Sequence, residues 1–214
     1  MPNDVLHIDE HIIVVSKPAG LLAVPGRGAD KQDCLSSRLG AKFGDGQASE
    51  IHIVHRLDQA TSGLMVFART LAALRDLHAQ FRVSAVDKAY EAIVLGRLEQ
   101  SSFSINLPLM ADWPNRPKQK VDVENGKPST TRVEVLSFDA ATNISRVRLV
   151  PVTGRTHQLR VHMLAIGHLI VGDALYGLQA TADMASRLML HASELAFAHP
   201  ATGERLSFAS AADF

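Results

Sequence analysis

Three stretches of the sequence carry side chains whose types and spacing could do chemistry. The first is His55-Arg56-Leu57-Asp58, followed by Thr61-Ser62-Gly63, a polar turn between the apolar segments Ile51 to Val54 and Leu64 to Ala68. An aspartate at the end of a strand is presented to a cleft, where a carboxylate can act as nucleophile or base. The same residue can instead close the turn by accepting hydrogen bonds from the Thr61 or Ser62 amides.

The second stretch runs Thr153-Gly154-Arg155-Thr156-His157-Gln158-Leu159-Arg160-Val161-His162. Between Ile144 and Gly172 four arginines (Arg146, Arg148, Arg155, Arg160) meet no acidic residue, although the whole chain balances 22 Lys+Arg against 22 Asp+Glu. Arg155 falls at the start of an expected helix, where the helix dipole disfavours a cation unless an anion is close. Asp58 is a candidate for that anion; a solvated basic face with an ordinary ion pair is the plainer alternative.

The third stretch is Trp113-Pro114-Asn115-Arg116-Pro117-Lys118-Gln119-Lys120, continuing to Gly126-Lys127-Pro128. From Trp113 to Arg132 five Lys and Arg face only Asp122 and Glu124, a local balance of +3. A proline-stiffened basic loop with one aromatic suits phosphate contacts and stacking on an unpaired base, through Arg116, Lys118 and Lys120. Such loops also serve as mere connectors. Metal chemistry is poorly supported: His157 and His162 are five apart, off the HExxH spacing, and no cysteine pair supplements them. Gly26-x-Gly28 matches neither a P-loop nor a dinucleotide fingerprint, so no nucleotide cofactor is expected.

The elements that must hold these groups can be read from periodicity. Ile12 to Val15 is a buried strand running into the turn Lys17-Pro18-Ala19-Gly20. Residues 26 to 49, broken by Gly26, Gly28, Gly40, Gly44 and Gly46, read as a loop with a short helix from Cys34 to Leu39. Leu71, Leu74, Leu77 or His78, and Phe81 recur at helical spacing behind Thr70, a suitable N-cap, predicting an amphipathic helix over 71–82. Half-buried strands follow at Tyr90 to Leu95, Thr131 to Leu136 and Arg146 to Val152, with Val147 and Leu149 facing inward. A second helix is expected from Thr156 to Ile166, stopped by Gly167. Glu194 to Ala198 and Glu204 to Phe208 read as a closing hairpin. Strands outnumber helices without alternating with them, which favours an α+β fold with a mixed, largely antiparallel sheet and flanking helices.

Length and composition set the bounds. The chain's 214 residues, 46% hydrophobic, can fill an ordinary globular interior. Zero net charge gives no global basic field, so any polyanion site must be local. The single cysteine, Cys34, excludes an intramolecular disulfide framework and suits a reducing compartment. The N-terminus lacks a secretory pattern, and no apolar run nears the roughly 20 residues that span a bilayer. A cytoplasmic protein with no membrane contact is expected.

These motifs, taken in order, resemble the RluA-type pseudouridine synthases. The set is Lys17-Pro18-x-Gly20; His55-Arg56-Leu57-Asp58-x-x-Thr61-Ser62-Gly63; Lys88-x-Tyr90; Gly154-Arg155-Thr156-His157-Gln158-Leu159-Arg160-x-His162; Gly167-His168; and Gly172-Asp173-x-x-Tyr176-Gly177. One departure is Leu169, where the family usually carries proline. The resemblance implies the pseudouridine synthase fold with a central RNA-binding cleft, and a single catalytic domain over 1–214 in the short form without an S4-like domain. It implies isomerisation of uridine to pseudouridine in structured RNA, with no cofactor and no metal. By analogy with short members, the RNA partners are large-subunit ribosomal RNA and the anticodon stem-loop of certain tRNAs, bound by a monomer. Asp58 falls on the family's essential aspartate and Arg155 on the cation that pairs with it. Tyr90 matches the tyrosine that stacks on the target uracil. Leu159 lines the pocket, Arg56 takes the place vacated by the extruded base, and His55 belongs with the substrate contacts.

Two rivals remain at this point: a non-catalytic RNA-binding or RNA-folding module with a vestigial pocket, and a carboxylate-dependent glycoside hydrolase. The latter needs a second acid about 5 to 9.5 Å from Asp58, and the sequence offers no evident one.

Overall fold

The computed structural model describes residues 5–26, 28, 31–44, 51–177 and 184–214. In chain order, β1 (Val5–Ile8) and β2 (Ile12–Lys17) lead to α1 (Leu35–Phe43), β3 (His52–Ile53), β4 (Ser62–Ala68) and α2 (Leu71–Arg82). Then come β5 (Asp87–Leu95), β6 (Ser102–Asn106), β7 (Leu109–Ala111), β8 (Gln119–Val121), β9 (Thr130–Asp139) and β10 (Ile144–Pro151). The last elements are α3 (Gln158–Ala165), β11 (Leu190–Ala198) and β12 (Arg205–Ala209). Paired strands with residue-by-residue registers run antiparallel, so the α+β, largely antiparallel expectation holds. The chain divides into two units, Met1–Lys88 with Ala192–Asp213, and Ala89–His191 with Phe214.

In the first unit the strand order is β1-β2-β4-β11, with β12 on β11 and β3 on β4. Ile12 to Val15 are all fully buried, as a strand covered on both faces must be. α2 begins where its cap dictates: the Thr70 side chain accepts the Ala73 N–H at 3.1 Å. Ala73 and Leu77 are buried and Leu74 and Phe81 partly buried against Ile12, Val14, Leu64, Val66, Leu195 and Phe197. The expected face is corrected at one position. Leu71 is 54% exposed, because six residues before Leu77 lies ~120° around the helix.

α1 runs longer than the expected Cys34 to Leu39. Gly46, with the rest of 45–49, lies outside the described residues. The closing hairpin is present as β11 and β12, paired from Glu194 with Ala209 to Ala198 with Arg205.

In the second unit the order is β5-β10-β9-β6, beside a separate β7–β8 hairpin. Val147 and Leu149 are fully buried and face inward as their alternation predicts. Two expectations are corrected here. α3 starts at Gln158, not Thr156, so Arg155 precedes the helix and the dipole argument for its placement loses its force. The proline-rich basic stretch is not a plain loop: it holds a 3-10 turn, Trp113–Asn115, and then β8. Leu169, in the place of the usual proline, is buried, and its carbonyl accepts the Leu95 N–H at 2.9 Å. Among the described residues no helix is long and apolar enough to cross a membrane.

Candidate active site

In the first unit the turn bearing Asp58 is built around a buried lysine. Lys17 ends β2, is 1% exposed, and donates from Nζ to the carbonyls of Pro18, Leu21 and Gln59 at 2.9, 2.8 and 3.0 Å. Three carbonyl dipoles use all three ammonium protons, which is how a buried cation is tolerated without direct pairing. Gln59 also accepts the Gly20 N–H at 2.9 Å, and its side chain donates back to the Gly20 carbonyl at 2.9 Å. The Lys17-Pro18-Ala19-Gly20 turn is thereby laced to the residue next to Asp58. Burial lowers the Lys17 pKa to about 8, and the negative charge of Asp58 opposes that fall, so the two charges are close enough to feel one another.

Asp58 itself is half-buried. The turn is closed by its main-chain carbonyl, which accepts the Thr61 N–H at 3.1 Å. The neighbouring side chains alternate: Leu57 is buried at 6% exposure, whereas Arg56 is exposed. His55 is turned inward. Its Nε2 accepts the Val66 N–H at 3.1 Å, one step past the end of β3, and its ring stacks on Phe81 with centroids 4.8 Å apart. Burial, and secondarily the charge of Lys88, lower its pKa to about 3; a neutral Nε2 acceptor is what the Val66 bond requires. What the structure shows of His55 is therefore an anchor for the turn.

Behind this turn Gly63, opposite Lys17 in the ladder, has φ +109°. A Cβ there would lie 2.3 Å from the Ala192 carbonyl oxygen, so only glycine lets β11 approach.

In the second unit, Tyr90 is half-buried on β5 opposite Leu149 of β10. The segment carrying Arg155 is shaped by Gln158, a 4% exposed amide whose bonding capacity is filled. Its Oε1 accepts from Thr153 Oγ1 at 2.7 Å and from the Arg155 N–H at 3.0 Å. Its Nε2 donates to the Thr130 carbonyl at 2.9 Å and to Thr131 Oγ1 at 3.0 Å. The Arg155 side chain is exposed, with Nη2 3.5 Å from the Pro128 carbonyl. Leu159, next along α3, is buried.

The run of arginines is less positive than its sequence implies. Arg146 pairs with Glu91 at 2.6 Å, Arg148 with Glu134 at 3.8 Å, and Arg160 with Asp173 at 2.7 Å, all supplied by other elements of the same unit. In the hairpin region the Arg116 guanidinium lies 3.5 Å from the Trp113 ring centroid. Trp113 is 62% exposed, which suits a platform for an unpaired base. Lys118 is half-buried; Lys120 is exposed and pairs with Asp122 at 3.1 Å, which trims the local +3.

His162 is fully buried between Thr131 Oγ1 and the Leu107 carbonyl, at 2.9 and 3.0 Å. Among the described residues no group of three or more His, Cys, Asp or Glu is arranged to hold a metal ion.

Asp58, Arg56 and His55 thus belong to the first unit, and Tyr90, Arg155, Leu159, Arg116, Lys118 and Lys120 to the second. Sequence reasoning missed Lys17, Gln59 and Gln158 as site-shaping residues. A lysine two residues past the apolar run Ile12 to Val15 was the available signal for the first; nothing local marks the two glutamines.

A family model described as RNA pseudouridylate synthase matches residues 11–165. The dual-specificity RNA pseudouridine synthase RluA of Escherichia coli (strain K12) is 49% identical over 210 residues, covering 98% of this chain and 93% of that protein. The protein of the same description from Haemophilus influenzae is 47% identical over 211 residues, covering 99% and 94%. The solved structure of human RNA pseudouridylate synthase domain containing 1 superposes with a TM-score of 0.81 at 30% identity, over 98% of this chain and 83% of that one. Matches of this extent on an α+β fold define an RNA pseudouridine synthase. The chain belongs to the RluA-type family of these isomerases.

Proposed function

We propose that this chain isomerises specific uridines in large-subunit ribosomal RNA and in the tRNA anticodon stem-loop, acting in the cytoplasm as a single-domain monomer, with Asp58 as the essential carboxylate and no cofactor. The observation that carries the assignment of Asp58 is its place in the turn: half-buried, between β3 and β4, and close enough to the buried Lys17 ammonium for the two charges to feel one another. The two RNA classes rest on the similarity to dual-specificity relatives.

In the reaction the N1–C1′ bond of uridine breaks and a C5–C1′ bond forms. C5 loses its hydrogen and N1 gains one, so the product is an isomer. Asp58 attacks the sugar or the ring, or removes a ribose proton; each role needs its ionised form. Arg155 supplies the cation that orients the carboxylate, Tyr90 stacks on the uracil, and Leu159 lines the pocket. Because a stacked base cannot reach such a pocket, the nucleotide is extruded, at a cost of a few kcal/mol that a loop reduces. Arg56, exposed on the Asp58 turn, fills the vacated position. Arg116, Lys118 and Lys120 hold the phosphate backbone, which reconciles a neutral protein with a polyanionic substrate.

Release of tritium from [5-³H]uridine in tRNA and ribosomal transcripts tests this. Release by the parent protein and none by Asp58→Asn, with RNA binding retained, is the expected result. Full activity of Asp58→Asn refutes the role of the aspartate. Absence of release from either RNA with binding intact returns the chain to a non-catalytic module, a reading that no observation here favours.

A further inference from the structure

We propose that Tyr176 is a positioning residue that registers the basic hairpin against the Arg155 segment, a role that rests on the function proposed above. Its hydroxyl oxygen accepts the backbone N–H of Gln119 on β8 at 2.7 Å and lies 2.7 Å from Nδ1 of His157. A phenol has one proton and two lone pairs, so both bonds can form together: the oxygen accepts from Gln119 and shares a second hydrogen bond with Nδ1 of His157.

The two ends of this bridge belong to the two elements of the second unit that carry its proposed RNA chemistry. Gln119 stands between Lys118 and Lys120. His157 is two residues past Arg155 and caps α3. One oxygen atom therefore links the phosphate-binding hairpin to the segment that presents the catalytic cation.

The oxygen is itself held in place from the protein interior. Arg160 on α3 makes two bonds of 2.7 Å to the carboxylate of Asp173, a pair that is almost fully buried. Asp173 Oδ1 also accepts the N–H groups of Leu175 and Tyr176, each at 3.0 Å, and the Arg160 guanidinium lies 5.0 Å from the Tyr176 ring centroid. His157 shows the other side of the arrangement. It has φ +53°, a left-handed conformation that a histidine keeps only when its surroundings hold it, and its ring meets Tyr176 edge-on at 5.6 Å. Phosphate binding at the hairpin and placement of Arg155 are then parts of one event.

The test is a double-mutant cycle between Tyr176→Phe, which removes only the oxygen, and Lys118→Ala. Two quantities are read for all four proteins: kcat/KM for tritium release from a [5-³H]uridine anticodon stem-loop, and the affinity of a fluorescein-labelled copy of that stem-loop. Tyr176→Phe is expected to lower kcat/KM about tenfold, within the range for losing the two hydrogen bonds its oxygen makes. In its background the penalty for Lys118→Ala shrinks from several-fold to less than about twofold, in both assays. Additive penalties, or unchanged kinetics in Tyr176→Phe, overturn the proposal; a merely structural role lowers the melting temperature and leaves the Lys118 penalty intact. If Tyr176→Phe does not fold at the assay temperature, His157→Asn, which tolerates the left-handed backbone and spares the Gln119 bond, is put through the same cycle with the same two outcomes. The binding arm needs no turnover. An inactive parent with coupled binding refutes the proposed activity and keeps the coupling, whereas an active parent with additive penalties does the reverse.

Discussion

Replacing Gln158 by leucine removes four hydrogen bonds from the interior while keeping the side-chain volume. Each such bond contributes about 1 kcal/mol net, so about 4 kcal/mol is the upper figure. Several partners recover. Thr131 Oγ1 keeps His162 Nδ1 at 2.9 Å, and the Thr130 carbonyl keeps the Val152 N–H at 3.0 Å. The Arg155 N–H and Thr153 Oγ1 can turn to water, since neither residue is buried. The expected loss is therefore about 2–3 kcal/mol, or a fall of about 4–12 °C in melting temperature for a chain of this size. Activity should suffer more than stability: with its backbone anchor gone, Arg155 drifts, and, in the role proposed for it, a shift of about 1 Å costs about a hundredfold. Gln158→Glu separates the two effects. It retains an acceptor for the Arg155 N–H but turns an acceptor toward the Thr130 carbonyl, so it should destabilise at least as much as leucine yet keep more activity. Thermal melts and kcat/KM on one RNA substrate read both quantities. A leucine variant more active than the glutamate variant, or a melting temperature unchanged in both, refutes the account of Gln158 as the anchor of Arg155.

Three further outcomes follow from the geometry. The folded-state pKa of His55, about 3, lies below its ordinary 6.5, so the unfolded chain binds a proton that the folded chain refuses. Its contribution is complete above pH 6.5 and is lost as pH falls toward 3; urea midpoints at pH 5 and pH 7 should differ less in His55→Phe than in the parent. Gly63→Ala places a Cβ 2.3 Å from the Ala192 carbonyl oxygen at φ +109°, and should cost more than about 3 kcal/mol, read as loss of soluble folded protein or a collapsed urea midpoint. Lys118→Ala should reduce the slope of log affinity against log salt by nearly one, and Lys120→Ala by less, because Lys120 already shares its charge with Asp122; equal slopes for the two would contradict that pairing.

What the sequence showed of the fold follows how local each determinant is. α2 was legible at both ends because a threonine cap and a three-turn apolar stripe lie within or next to its own residues, and β10 because its alternation is uninterrupted. The start of α3 was not legible. It is displaced to Gln158 by that side chain folding back to the Arg155 amide while gripping Thr130 and Thr131, some 28 residues away in sequence. The arginine run misled for the same reason, since its acids Glu91, Glu134 and Asp173 come from other elements. Of the candidate site, Asp58 and Arg155 were visible as residue types in distinctive motifs. The scaffold that holds them was not, because a buried lysine and two amides act largely on main-chain groups and on hydroxyls distant in sequence, which carry no local signature.

The first unit closes with residues from late in the chain, and this bears on the order in which the protein can be made. The ribosome delivers residues 89–191, all of the second unit except Phe214, as one uninterrupted stretch, so that unit can begin to fold once they have emerged. The Asp58 turn must wait. Gly63 meets the backbone of Ala192, and the core that α2 packs into is completed by Leu195 and Phe197, with Leu206 and Phe208 packed against it, none of which exists until translation is nearly over. A chain truncated after residue 191 would therefore keep every residue of its proposed RNA-contacting hairpin while its proposed catalytic carboxylate still lacked its support.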